Sequence, residues 1–216
     1  MATIHTYGDS NTYGIGDPKR GGYAARLRNT MMERMANPTQ GKRGVIVHNF
    51  GRFAMTLPRI VETLPEGLAN GDGRGRIIAV AMIGFSESIV PDRAVKPVVP
   101  LPEFRRALDG YAAACQRASR LTDRRVISLF IESPPIELSG RHPDLLGEIC
   151  PERYAAYKTA VQEHAHDTKS AFVEIHPALH DLPYNPLNKD GIHLSVDGHV
   201  AVHNVVLPYI DDILQS

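Results

Sequence analysis

Short apolar runs rich in β-branched residues alternate with longer stretches of helical periodicity along the chain, which predicts an α/β fold with βαβ units wound around a parallel sheet. The apolar runs lack the apolar/polar alternation of a sheet with one wet face, so they read as strands covered on both sides. At 216 residues and 43% hydrophobic the chain suffices for one filled core, and residues 1–216 are read as a single domain.

Taken in order, five strands are predicted: Thr3 to Tyr7, Gly44 to His48, Arg76 to Ile83, Arg125 to Ile131 and Ala171 to Ile175. Each is short and flat in hydrophobicity. Helices are predicted near Tyr23 to Met35, Leu57 to Leu68, Glu103 to Leu121, Pro151 to Asp167 and Val196 to Leu214. Pro151 suits a first helical turn, where its missing N–H costs nothing. The stretch Asn70-Gly71-Asp72-Gly73-Arg74-Gly75 reads as a solvated turn; it lacks the strand-before, helix-after setting and the lysine of a phosphate-cradling loop. Two proline-rich connections, Phe85 to Pro102 and Glu132 to Cys150, follow the third and fourth strands. They lie at the edge where open α/β sheets bind ligands and are candidate walls of a substrate cleft.

Composition narrows the function. Lys plus Arg equals Asp plus Glu at 24 each, leaving no surplus charge for a phosphate backbone or an anionic bilayer, so no nucleic-acid or membrane partner is expected. No run is long enough to span a bilayer, and the first residues lack a signal-peptide pattern, so a cytoplasmic protein is the expectation. Cys115 and Cys150 are too few for a disulfide framework or a zinc site and read as buried small hydrophobes. His164, His166, His176 and His180 are the densest histidines, but positions two apart on a helix do not share a face, so no metal is expected. His5 and His48 fall inside strands and read as satisfied core histidines. Arg117, Arg120, Arg124 and Arg125 read as a solvated helix end.

The chemistry concentrates at two distant points. The first strand ends in Tyr7-Gly8-Asp9-Ser10-Asn11-Thr12-Tyr13-Gly14, which presents a serine hydroxyl on a glycine-flanked turn. A serine is a weak nucleophile unless a base lies within hydrogen-bond reach, itself held in one tautomer by a third group. Lys189-Asp190-Gly191-Ile192-His193-Leu194-Ser195, entering the last helix, supplies such a pair: an Asp three residues before a His can place its carboxylate on Nδ1–H, leaving Nε2 for the serine. Asp9 neighbours Ser10 but points the other way on an extended strand, and reads as an anchor for local backbone amides.

Gly8-Asp9-Ser10 near the start, with Asp190-x-x-His193 near the end, resembles the SGNH (GDSL-type) hydrolase superfamily over almost the whole chain. The resemblance implies a flavodoxin-like three-layer α/β/α sandwich with a five-stranded parallel sheet, a serine esterase activity, and no cofactor. It implies Ser10, Asp190 and His193 as the triad, with Ser10 and Gly51 offering backbone N–H groups to an oxyanion hole. The second block of the family is similar to Asn49-Phe50-Gly51-Arg52-Phe53-Ala54-Met55-Thr56, where Ala54 replaces a glycine often found there. The third block, Gly-x-Asn-Asp in the family, reads Gly84-Phe85-Ser86-Glu87, so Ser86 stands in the place of the oxyanion asparagine, as a partial donor or a spectator. The Gly-Asp-Ser-Asn-Thr-Tyr-Gly run, Glu132-Ser133-Pro134-Pro135-Ile136, and Asp190 to Ser195 with Asp197-Gly198-His199 are similar to the arylesterase and acyltransferase branch.

Alone, Ser10 is an ordinary turn serine, Asp190 and His193 an Asx-type turn before a helix, and Gly51 a turn glycine; their order and placement carry the functional reading. The expected function is a serine ester hydrolase acting on a small-molecule acyl ester through an acyl-enzyme, with acyl transfer when an alcohol replaces water. The alternatives are a carbohydrate O-deacetylase and a non-catalytic SGNH-like binding module. The resemblance allows a homo-oligomer, for which the sequence carries no interface signal of its own.

Overall fold

The computed structural model describes residues 2–37, 44–69, 75–135, 140–142 and 147–216. The glycine-rich turn at 70–74 lies outside the described residues, as does part of the connection after the fourth predicted strand.

The central sheet is parallel and has five strands: β1 (Ala2–Gly8), β2 (Val45–Asn49), β3 (Ile77–Met82), β5 (Val126–Ile131) and β8 (Ala171–Val173), in the order β2-β1-β3-β5-β8. These are the five predicted strands, displaced by no more than about two residues at either end. β1 and β3 pair over six residues from Thr3↔Ile77 to Gly8↔Met82. This register places the residues after β1 and after β3 side by side. The chain moves outward from β1 to β2, then returns across β1 to β3, so the winding reverses between β1 and β3. That reversal opens the crevice in which α/β sheets bind ligands.

Alternation along β3 shows why that strand is apolar throughout. Ile77, Ala79 and Ala81 face a core shared with α3 (Leu57–Ala69), α5 (Leu101–Thr122) and α6 (Pro151–Asp167), through Leu57, Ile60, Phe104, Tyr111, Tyr157 and Val161. Ile78, Val80 and Met82 face the opposite core, formed with α2 (Gly22–Ala36) and α8 (Val196–Gln215) through Tyr23, Leu27, Val202 and Val206. Successive side chains leave opposite faces of a strand, so a sheet with helices on both sides buries both sets of side chains. The result is the three-layer α/β/α sandwich.

Elements too short to carry a period complete the C-terminal edge of the sheet. They are α1 (Ser10–Tyr13), α4 (Phe85–Ser88), α7 (His176–His180) and a three-stranded antiparallel sheet of β4 (Val90–Pro91), β7 (Gly147–Ile149) and β6 (Gly140–His142), in the order β4-β7-β6. The two proline-rich connections thus meet in one small sheet. Other local readings change with packing. Arg124 is 7% exposed and donates to Gly75 O and Thr3 Oγ1, so it ties the start of β1 to the chain entering β3. Cys115 is buried, whereas Cys150 is only partly so and its thiol donates to Glu152. Nε2 of both His5 and His48 is buried with no hydrogen-bond partner among the described residues.

Candidate active site

The nucleophile segment is shaped by close approach. Gly8, at φ +153°, would bring a Cβ within 2.5 Å of the Met82 carbonyl and 2.3 Å of Thr12 Oγ1, so only glycine lets the chain leave β1 there. Asp9 then caps α1, its Oδ1 accepting from Asn11 N at 3.0 Å, and Ser10 takes the first helical position. The Ser10 N–H has no intrahelical acceptor at that position and bonds no other described residue.

His193 arrives from the far end of the chain. Its Nε2 lies 2.9 Å from Ser10 Oγ and its Nδ1 lies 2.8 Å from Asp190 Oδ2. A carboxylate only accepts, so Nδ1 carries the proton and the bare Nε2 accepts from the serine hydroxyl. Asp190 Oδ1 accepts from the N–H groups of Ile192 and His193 at 2.9 and 3.0 Å. Burial pushes Asp190 up; the hydrogen bonds from His193 and Ile192 outweigh it and hold the carboxyl below its usual range.

Asn11, not singled out in the sequence, brackets His193. Its Oδ1 accepts from Leu194 N at 2.8 Å and its Nδ2 donates to Ile192 O at 3.5 Å, gripping the peptides on either side of the imidazole. His199 ties the same region to α2: Nε2–H donates to Ile15 O at 2.8 Å and Nδ1 accepts from Tyr23 N at 3.3 Å. Burial pushes this imidazole down, favouring the neutral form those two bonds require.

Gly51 sits against α1, where a Cβ would come within 2.4 Å of Tyr13 N. Its N–H donates to Asn49 Oδ1 at 2.9 Å. Asn49 also accepts from Thr6 Oγ1 and donates to Thr12 O at 2.9 Å, locking the turn after β2 onto the nucleophile helix. Ser86 lies in α4 with its hydroxyl donating to Asp9 Oδ2 at 3.0 Å. Of the three predicted oxyanion donors, then, Gly51 N–H and Ser86 O–H are bonded within the protein, to Asn49 and Asp9. Burial pushes Asp9 up, against the hydrogen bonds it accepts from Asn11 and Ser86. Glu87 is buried beside it, accepting from Leu57 N at 2.6 Å and Gly84 N at 2.9 Å, and burial raises it to about 7.

The surface next to Ser10 is aromatic. Tyr13, one helical turn on and 52% exposed, packs its ring at 5.2 Å from that of Phe53, 63% exposed. Ala54, where the second block often has glycine, adopts φ +49°. His164, His166, His176 and His180 do not converge: His164 lies near Asp109, His176 near Glu132, and His180 near Asp181. Among the described residues no group of three or more His, Cys, Asp or Glu is placed to hold a metal ion, and no helix is long and apolar enough to cross a membrane.

No protein-family model matches the sequence, and no curated protein matches it. Solved structures do. The lipase/acylhydrolase from Enterococcus faecalis aligns with a TM-score of 0.67 at 20% identity, over 97% of this chain and 95% of that one. A lipolytic protein of the G-D-S-L family from Desulfitobacterium hafniense DCB-2 aligns at 0.64 and 13% identity, over 94% and 97%. A catalytic mutant of the acetylxylan esterase Axe2 from Geobacillus stearothermophilus aligns at 0.59 and 20% identity, over 95% and 92%. The chain therefore has the α/β/α fold of the GDSL-type acylhydrolases.

Proposed function

We propose that the protein is a serine ester hydrolase that acts on small acyl esters through an acyl-enzyme. The observation that carries the reading is the unbroken hydrogen-bonded line Asp190–His193–Ser10, at 2.8 and 2.9 Å, assembled from opposite ends of the chain at the sheet's switch point.

In this reading Ser10 Oγ attacks the acyl carbonyl while His193 Nε2 takes its proton, and Asp190 stabilises the resulting imidazolium through Nδ1–H. The tetrahedral intermediate collapses as His193 returns the proton to the leaving alcohol oxygen, which breaks the ester C–O bond and leaves an acyl group on Ser10. Water, deprotonated by the same imidazole, releases the acid. An alcohol in place of water gives acyl transfer. The oxyanion meets the Ser10 N–H first; Gly51 N–H and Ser86 O–H serve as further donors once they turn from Asn49 and Asp9. Each well-aimed donor is worth about 3 kcal/mol, so a hole with two donors engaged elsewhere favours slow turnover.

A p-nitrophenyl ester chain-length series tests the reading. Wild type is expected to turn over short acyl chains fastest and Ser10→Ala to be inactive; equal rates for both would refute it. Product analysis with an alcohol present tests acyl transfer, and free acid as the sole product would remove that part. A second reading, O-deacetylation of a saccharide, is favoured by the exposed Tyr13–Phe53 pair, since aromatic faces stack on ring substrates. Preference for acetylated saccharides over aryl acetates would select it. We also propose a cytoplasmic setting, supported by the two free cysteines and testable by cell fractionation.

A further inference from the structure

The small antiparallel sheet has a second role to account for. β4 follows α4 almost directly, β7 pairs with β4, and β6 pairs with β7 from Gly140↔Ile149 to His142↔Gly147. The outer strand, β6, ends at His142, whose Nε2 lies 2.9 Å from the main-chain oxygen of Asp190.

A carbonyl oxygen only accepts, so His142 is protonated on Nε2 and Nδ1 is a bare lone pair. That Nδ1 is buried with no hydrogen-bond partner among the described residues. An unpartnered buried acceptor costs free energy that an apolar side chain in the same place would avoid. The imidazole therefore makes its favourable contribution through Nε2–H.

The bond falls on the peptide that carries the Asp190 carboxylate. The Asp190 carbonyl belongs to the peptide joining Asp190 to Gly191, and Gly191 has φ +68°. The N–H of this peptide donates to Asn188 O at 2.8 Å within the same turn, so the His142 bond to its carbonyl is the second anchor, from outside the turn, of a peptide whose rotation would swing the Asp190 carboxylate relative to His193. The remaining bonds to Asp190 come from its own turn: Ile192 N, His193 N and His193 Nδ1. Asn11 grips the His193 end of the loop from the nucleophile side. His142 is the one side chain from elsewhere that bonds Asp190 among the described residues.

We propose that His142 is a positioning residue: by fixing the Asp190–Gly191 peptide it aims the Asp190 carboxylate at His193 Nδ1, and it couples the β4-β7-β6 sheet to the triad. The proposal rests on the triad reading above. The Nε2 atom of a glutamine can occupy nearly the place of the imidazole Nε2, whereas an asparagine amide falls short of it.

The test compares His142→Leu, His142→Gln and His142→Asn in the full chain, with thermal melts to show that each is folded. His142→Leu and His142→Asn are expected to lower kcat about 10- to 100-fold, the cost of a catalytic group misplaced by about 1 Å, with KM within about twofold. Their acidic limb of kcat/KM moves to lower pH, because an imidazolium partly deprived of its carboxylate gives up its proton more easily. His142→Gln restores both rate and limb. A readout independent of substrate is the downfield proton resonance of His193 Nδ1–H, expected in wild type and His142→Gln and broadened in His142→Leu. Folded His142→Leu protein with the wild-type pH profile and resonance overturns the proposal, as does folded His142→Gln that resembles His142→Leu. A wild type with no esterase activity but with the resonance pattern above sinks the ester reading alone and leaves the positioning role standing.

Discussion

Replacing Gly51 with alanine adds a single methyl group, and the structure states where it goes. The new Cβ would stand 2.4 Å from Tyr13 N and 2.6 Å from Thr12 C, both main-chain atoms of the nucleophile helix. Main chain cannot turn aside as a flexible side chain can, so ordinary contact at 3.4 Å or more requires Gly51 and α1 to part by about 1 Å. Gly51 does not occupy the left-handed region, so the penalty is purely steric. Overpacking of this kind costs about 1–3 kcal/mol of stability, and a 1 Å displacement of a nucleophile costs about 100-fold in rate. The assay is the rate of inactivation by a fluorophosphonate, read beside a thermal melt. Gly67→Ala is the control: among the described residues its Cβ meets nothing closer than Tyr7 Oη at 3.4 Å, and in a helix the change adds about 0.5–1 kcal/mol of stability. Gly51→Ala protein with the wild-type inactivation rate and melting temperature would refute the reasoning.

Other residues yield sharper contrasts. Ser86→Asn, by offering a side-chain amide to the oxyanion, is expected to raise kcat about tenfold or more; an unchanged or lower kcat in a folded variant removes position 86 from the hole. Ala54→Gly relieves a left-handed alanine at φ +49° and is expected to raise stability by about 1 kcal/mol with kcat unchanged; no rise in denaturant midpoint counts against it. Tyr13→Ala and Phe53→Ala should raise KM for phenyl acetate several-fold more than for ethyl acetate, and equal effects on both contradict ring stacking on the Tyr13–Phe53 pair. For pH, His5 is pushed down to about 4 by burial and by neighbouring His48 and Arg124. The unfolded chain then binds the extra proton, so His5's contribution to stability is intact above about pH 6.5 and is lost as pH falls through 4. The loss approaches roughly 3 kcal/mol. His5→Phe should flatten that slope in denaturant titrations; an unaltered slope shows that other groups set it.

Legibility in the sequence followed the length of the signal. Each of the five long helices spans enough turns for its apolar stripe to show, and Pro151 marked the start of α6 to the residue. The strands were legible because a doubly covered strand buries both faces and so lacks a regular polar alternation. The four residues of α1, the two of β4 and the three of β6 contain less than one informative period. The site divided in the same way. Ser10, Asp190 and His193 stood out because their chemistry is carried by motif order. Asn11 and His142 act by grasping main chain 183 and 48 residues away, and nothing local in the sequence encodes such a reach. The same holds for the bonds of Ser86 to Asp9 and of Gly51 to Asn49: residue identity suggested where a donor stands, and only packing determines what it donates to.

Mass spectrometry of the intact chain and its peptides after treatment with a fluorophosphonate reads the Ser10 nucleophile directly. One adduct is expected, on the peptide carrying Ser10, formed by wild type, slowed by Asp190→Asn, nearly abolished by His193→Ala and absent from Ser10→Ala. A folded wild-type protein that takes up no phosphonate, or takes it up at another serine, would show that Ser10 is not the activated nucleophile.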